Sequence, residues 1–149
     1  MRTRFEITEA PLRPETWIGA VADPSAGAVA TFIGVTRNSF HGKRVRHLEY
    51  EAYRPMAERA LERIGMEIAG RWPSVTGVAI AHRLGQVEVG EASVVVAISA
   101  PHRADALAAC GFGIDLLKRE LPVWKREVLE GGAVWRENET TPGRGGEPL

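Results

Sequence analysis

The chain has 149 residues, which fits one compact domain, and its 44% hydrophobic and 26% charged residues are an ordinary globular composition. Lys and Arg number 19 and so do Asp and Glu; zero formal charge disfavours a general nucleic-acid coat or a polybasic membrane binder, since both rely on net positive charge. A single cysteine, Cys110, excludes an intramolecular disulfide framework and a multi-cysteine zinc site.

The opening MRTRFEITEA lacks the apolar run of a signal peptide, and no stretch of about 18 apolar residues follows, so the expectation is a cytoplasmic protein that does not enter a membrane. Residues 4–8 alternate as a short strand would. Residues 14–22 read as a short helix, with proline at its start and Asp23-Pro24 after its end. Residues 27–35 (GAVATFIGV) are β-branched and apolar, a buried strand. A polar loop, NSFHGK at 38–43, leads to an alternating strand at 45–53. Residues 54–72 form the clearest helix. Ala57, Ala60, Leu61, Ile64 and Ile68 share one face, charged residues occupy the rest, and Pro73 stops it. Strands follow at 75–81 and 93–99. The second of these, SVVVAIS, is apolar enough to be covered on both faces. Between them QVEV, bracketed by Gly85 and Gly90, reads as a small hairpin arm. A second long helix spans 101–120 and must end before Leu121, because a residue ahead of proline avoids the helical region. Residues 123–129 are extended, 133–136 form a last short strand, and the polar, Gly- and Pro-rich run from 138 to 149 reads as a disordered tail. Helices separated by groups of strands predict an α+β fold, two long helices on a mostly antiparallel sheet, in a single domain over 1–137.

Several chemistries are absent. There is no GxSxG elbow, Gly42-Lys43 is not set in a P-loop, and His41, His47, His82 and His102 lack metal-ligand spacing. Three basic clusters remain. His102 and Arg103 open the second long helix, where exposed N–H groups attract anions and cations are unfavourable; either they build an anion site or they point to solvent, with Asp105 neutralising Arg103. Lys118 and Arg119 close the same helix, where cations complement its dipole. Just beyond, PVWKRE runs extended, so Lys125 and Glu127 face one way and Trp124 and Arg126 the other. A lysine beside large apolar groups can serve in proton transfer, or its stem can pack while the ammonium reaches water. Arg37 lies just past a buried strand and leads into a loop with His41, Lys43 and Arg44, a common position for ligand contacts and equally for a solvated basic turn. Phe32 reads as core. Cys110 reads as a small buried residue rather than a nucleophile. Together the clusters outline an anion-binding groove built from Arg37, His102 and Arg103, with lysines nearby.

The ordered set TFIGVTR (31–37), LEYEAYRPMAE (48–58), HRLGQVEVGE (82–91), SAPHR (99–103), LLKRELPVWKRE (116–127) and Trp135 resembles the large, catalytic subunit of molybdopterin synthase, the MoaE family. The resemblance runs from about Phe5 to Glu137. It implies an α/β-hammerhead fold and a homodimer at the centre of a heterotetramer. Each end would bind a small ubiquitin-like carrier of the MoaD type, whose C-terminal Gly-Gly tail enters a pocket as a thiocarboxylate. The implied reaction is sulfur transfer to cyclic pyranopterin monophosphate (precursor Z), forming the molybdopterin dithiolene for molybdenum cofactor biosynthesis, with no metal or cofactor bound by the protein itself.

Carried over by position, the resemblance assigns Lys118 and Lys125 as catalytic. Val35, Thr36, Arg37, His102, Arg103, Arg126 and Glu127 join them in substrate binding, with Phe32 as pocket wall. Lys118 would lie beside the carrier tail, and either lysine could act as general acid or base. Two departures stand out. Family members can carry lysine where this chain has Val35, and some carry a basic residue near the C-terminus, to which Arg136 is the nearest counterpart here. Two rival readings are a non-catalytic scaffold for a ubiquitin-like partner and an RNA-binding domain using the 37–46 loop. The retained cations oppose the first; zero net charge and the lack of an aromatic RNP-type strand oppose the second.

Overall fold

In the computed structural model of the chain, which describes residues 1–137, the elements run β1 (Arg2–Thr8), α1 (Pro14–Ala20), β2 (Ala28–Val35), β3 (Ser39–Phe40), β4 (Lys43–Ala52), α2 (Arg54–Arg71), β5 (Gly77–Arg83), β6 (Gly85–Glu88), β7 (Ala92–Ala100), α3 (Arg103–Glu120), β8 (Val123–Leu129) and β9 (Gly132–Glu137). The tail expected to be disordered lies outside the described residues, as does the side chain of Arg136.

The strands form two sheets. The first has the order β1-β5-β7-β2, with β1 and β5 parallel and the other pairs antiparallel. In the second, β4 pairs with β8 along one edge and with β3 and β6 along the other, and β9 adds outside β8.

The apolar sequence of β7 is explained by cover on both faces. Val94, Val96 and Ile98 join the main core beneath α2 and α3, while Val95 and Ala97 meet Trp17 and Val21 on the α1 side. The α2 helix buries Ala57, Ala60, Leu61, Ile64 and Ile68, the face that its 3.6-residue period marks, together with Gly65 against the Phe5 ring. Complete burial of Leu61, Ile64 and Ile68 stabilises the fold by about 1.5–3 kcal/mol each. The α3 helix starts two residues later than its sequence predicts, because His102 is an extended N-cap (φ −131°, ψ 148°). It ends at Glu120, with Leu121 extended ahead of Pro122. No helix among the described residues is long and apolar enough to cross a membrane.

The QVEV segment departs from its expected role as a hairpin arm. The chain leaves the first sheet at Arg83, turns at Gly85 (φ +84°), and enters the second sheet as β6, pairing residues 85–88 with residues 47–50 of β4. This pairing buries Val87 completely in the main core, which an arm standing off the body would not do.

Candidate active site

A cavity of about 390 Å³ opens where β2, the edge strand of the first sheet, meets the C-terminal turn of α3 and the inner face of the second sheet. Each element contributes for a local reason. The β2 strand presents Phe32 and Val35, and Arg37 follows its end. Lys118 sits in the last turn of α3, where its charge also complements the helix dipole. The β8 strand alternates strictly, so Lys125 and Glu127 turn inward while Trp124 stays exposed. Phe40, Val45, Leu48 and Tyr50 complete an apolar wall, with Ser39 and Ser93 adding hydroxyls. Three cations and one carboxylate thus share a pocket whose remaining surface is mainly apolar.

Lys125 and Glu127 are almost fully buried, and the Lys125 Nζ lies 3.7 Å from Glu127 Oε1. Tyr50, opposite Lys125 in the β4–β8 ladder, is also buried. Burial pushes its phenol up to about 12; a hydrogen bond with Ser93 opposes the shift and the Glu127 charge adds to it. Tyr50 is therefore a neutral hydroxyl at any physiological pH. Neither it nor Ser93 was singled out by sequence reasoning. The alternation of β4 marks Leu48 and Tyr50 as inward, but only the register sets Tyr50 beside Lys125.

The remaining sequence-predicted residues lie elsewhere. Arg126 is on the opposite face of β8, its Nη1 3.3 Å from Glu49 Oε2. Thr36 is 3% exposed, and its backbone is engaged on both sides, the amide donating to the Glu91 carbonyl and its carbonyl accepting from the Gly90 amide. Its buried hydroxyl has no hydrogen-bond partner among the described residues. Thr36 holds the turn from which Arg37 departs. His102 and Arg103 are exposed at the far end of α3, and Asp105 accepts a hydrogen bond from Ser74. Ala28 pairs with Ala100 and Val35 with Ala92, so the Arg37 and His102 ends of this strand pair are roughly 23 Å apart at the usual strand rise. Lys118 and Arg103 are separated by roughly 22 Å of helix. One chain therefore brings Arg37 to Lys118 and Lys125 but keeps His102 and Arg103 away from them.

Other reactive side chains are engaged in the interior. His82 is fully buried, packs edge-on to Tyr50 with 4.9 Å between ring centroids, and donates through Nδ1 to the Arg83 carbonyl. Burial lowers its pKa to about 4. Burial raises the Cys110 thiol to about 11, so it is inert at neutral pH, as its mid-helix position predicts. Among the described residues no group of three or more His, Cys, Asp or Glu is arranged to hold a metal ion.

Comparison with known proteins points the same way as the motifs. The family model described as MoaE protein matches residues 7–120. A molybdopterin synthase catalytic subunit from Taeniopygia guttata is 50% identical over 80% of this chain and 77% of its own length. One from Bacillus subtilis is 45% identical over 97% and 93%. The crystal structure of molybdopterin synthase from Staphylococcus aureus superposes with a TM-score of 0.85 at 39% identity, covering 89% of this chain and 96% of that one. With a family model over most of the chain, relatives at 45–50% identity and a matching fold, this chain belongs to the MoaE family.

Proposed function

We propose that this chain is the catalytic subunit of a molybdopterin synthase and acts as a sulfurtransferase. It would move sulfur from the thiocarboxylated C-terminus of a small MoaD-type carrier to cyclic pyranopterin monophosphate. The observation that carries this reading is the gathering of Arg37, Lys118 and Lys125 around one largely apolar cavity. The reaction brings together two anions, a phosphate ester and a thiocarboxylate. Arginine can fork two N–H donors onto phosphate oxygens. Lysines in a partly desolvated pocket offset the repulsion between the anions and stabilise charge as sulfur attacks. The apolar wall from Phe32 to Leu48 suits a flat heterocycle. The name catalytic subunit, carried by the relatives, presupposes a companion chain.

His102 and Arg103 enter this reading through a second copy of the chain. If they bind the same substrate as Arg37, a neighbouring protomer must supply them, because the length of the strand pair separates the two groups within one chain. A homodimer with composite sites, capped by a carrier at each end, meets that requirement. Arg126 contributes by bracing Glu49 behind the strand that carries Lys125.

The test is reconstitution. Purified protein, thiocarboxylated carrier and precursor Z are mixed, and molybdopterin is detected as its fluorescent oxidised derivative. Product is expected only with the thiocarboxylate present, and Lys118→Ala should abolish it while leaving the fold and the dimer intact. Near-normal transfer by Lys118→Ala would overturn the assignment.

A further inference from the structure

The outer edge of β2 is open: among the described residues no strand pairs with it on the side away from β7. Its eight residues, AVATFIGV, include no charge and no proline. Edge strands that stay single are usually short, or guarded by charges or proline, so an uncharged edge of this length is a template for another strand. Val29, Ile33 and Val35 stand exposed along it, at 44%, 37% and 53%. The helix layer is open on the same flank. The α3 helix packs over β2 and β7, with α2 on its other side over β1 and β5. Asp105 and Phe112 turn toward the end of α2, meeting Ser74 and Trp72. Leu107 and Gly111 turn away from it, and Leu107 is 63% exposed. Gly111 has no reason to be glycine within one chain. A mid-helix glycine costs about 0.5–1 kcal/mol relative to alanine, yet an added Cβ there would meet nothing within 4 Å.

We propose that a second copy of the chain docks on this flank, its β2 antiparallel to the first, so that two four-stranded sheets become one of eight strands. A single two-fold axis satisfies both layers. The α3 helix runs alongside β2 in the same direction, since Arg103 lies just past Ala100, the partner of Ala28, and Lys118 shares the cavity with Phe32 and Arg37. Gly111, in the middle of α3, is therefore level with the middle of β2. An axis through Phe32 sets Val29 opposite Val35 of the second copy and Thr31 opposite Ile33, so the exposed apolar side chains meet on one face. Paired strands lie about 4.8 Å apart. With α3 straddling β2 and β7, the two α3 axes then lie about 10 Å apart, the distance at which helices pack. They meet at Gly111, where bare backbone admits a close approach. The same axis completes the anion site. Arg37 comes opposite Gly27 of the second copy, whose amide donates to the Ala100 carbonyl of its own chain. His102 of that copy is then two strand spacings, roughly 10 Å, from Arg37. On the helices, Lys118 comes opposite Ala104 and beside Arg103 of the second copy.

The gathering of these four cations into one substrate site rests on the proposed function; the docking surface does not, and its test needs no sulfur transfer. Sedimentation of the full chain should show a dimer. Gly111→Leu and Ile33→Lys should each raise its dissociation constant about thirtyfold or more, the scale of a lost interface anchor. Both should keep their fold by circular dichroism, because both positions are exposed in the single chain. Met66→Lys, at an exposed position on α2, should leave the dimer unchanged. Crosslinking checks the alignment of the strands without a disruptive change. Val29→Cys and Val35→Cys proteins, mixed and oxidised in air, should give a disulfide-linked dimer. Neither alone should, since like positions lie roughly 20 Å apart across the axis, and Cys110 is buried. A monomeric chain, a dimer that survives both Gly111→Leu and Ile33→Lys, or no crosslink in the mixture would overturn the inference. A crosslinked dimer from a chain that makes no molybdopterin would sink the proposed function and leave the docking surface standing. Sulfur transfer by a chain whose mixture gives no crosslink would do the reverse.

Discussion

The Lys125 ammonium lies 3.7 Å from the Glu127 carboxylate, two residues along one strand, with side chains only 8% and 3% exposed. The period of a strand puts both on the inward face. Removing one partner of a buried pair leaves the other's charge poorly compensated and typically costs about 3–5 kcal/mol. Lys125→Ala should therefore lose activity and also be destabilised by about 3 kcal/mol. Lys125→Met combined with Glu127→Gln, which removes both charges and keeps the volume, should be nearly as stable as the unsubstituted protein and still inactive. Urea unfolding of the three proteins checks the order; an unshifted midpoint for Lys125→Ala would show that the pair contributes nothing to stability.

The separation of His102 and Arg103 from Arg37 makes a prediction about mixed dimers. Lys118→Ala and Arg103→Ala homodimers should each be nearly inactive. After subunit exchange, half the dimers are mixed and each contains one intact composite site, so activity should recover to about a quarter of the unsubstituted level. Sites built within one chain would give no recovery, and the product assay on co-refolded mixtures separates the two cases.

Buried His82 should make the fold acid-sensitive. Its folded pKa is about 4 against an ordinary value of 6.5, so between those values the unfolded state binds the proton and the folded state does not. Stability therefore falls as pH drops from about 6.5 toward 4, by at most roughly 3 kcal/mol. Below about 4 the histidine contributes no further change. Asp23 and Glu91, whose carboxyls are held low chiefly by hydrogen bonds from Ser25 and from the Glu88 amide, lose stabilisation in the same direction but at lower pH. His82→Gln should flatten the loss between pH 6.5 and 4.5 and leave the more acidic limb. Parallel pH slopes for the variant and the unsubstituted protein in urea titrations would refute the assignment.

Gly34→Ala should be destabilising by about 1–3 kcal/mol, the usual cost of overpacking, because the new methyl meets fully buried Val94. Displacement of β2 at this point also shifts Arg37, so phosphate affinity should fall more than in a control such as Gly70→Ala, where an added Cβ meets nothing within 4 Å. Thermal unfolding and phosphate calorimetry on both variants test this.

What the sequence determined about this protein is local in origin. Pro73 and Pro122 stop the two long helices through sterics that act on the preceding residue or the helix itself. The 3.6-residue spacing of Ala57, Leu61, Ile64 and Ile68 names the face that α2 buries, and the apolar run of β7 states that both its faces are covered. The alternation of β8 assigned Lys125 and Glu127 to one side and Arg126 to the other before any pairing was known. Family motifs added the residue types around the cavity. The tertiary structure decided which strands meet. Pairing joins residues far apart in the chain, and a strand's own pattern carries a face but no partner. That is why QVEV became an edge of the second sheet instead of a hairpin arm, why Tyr50 stands beside Lys125, and why a bulge turns Ser93 into the cavity. It is also why Arg37 and His102, which composition and charge placed in one groove, lie at opposite ends of an antiparallel strand pair, whose geometry sends the two chain exits in opposite directions.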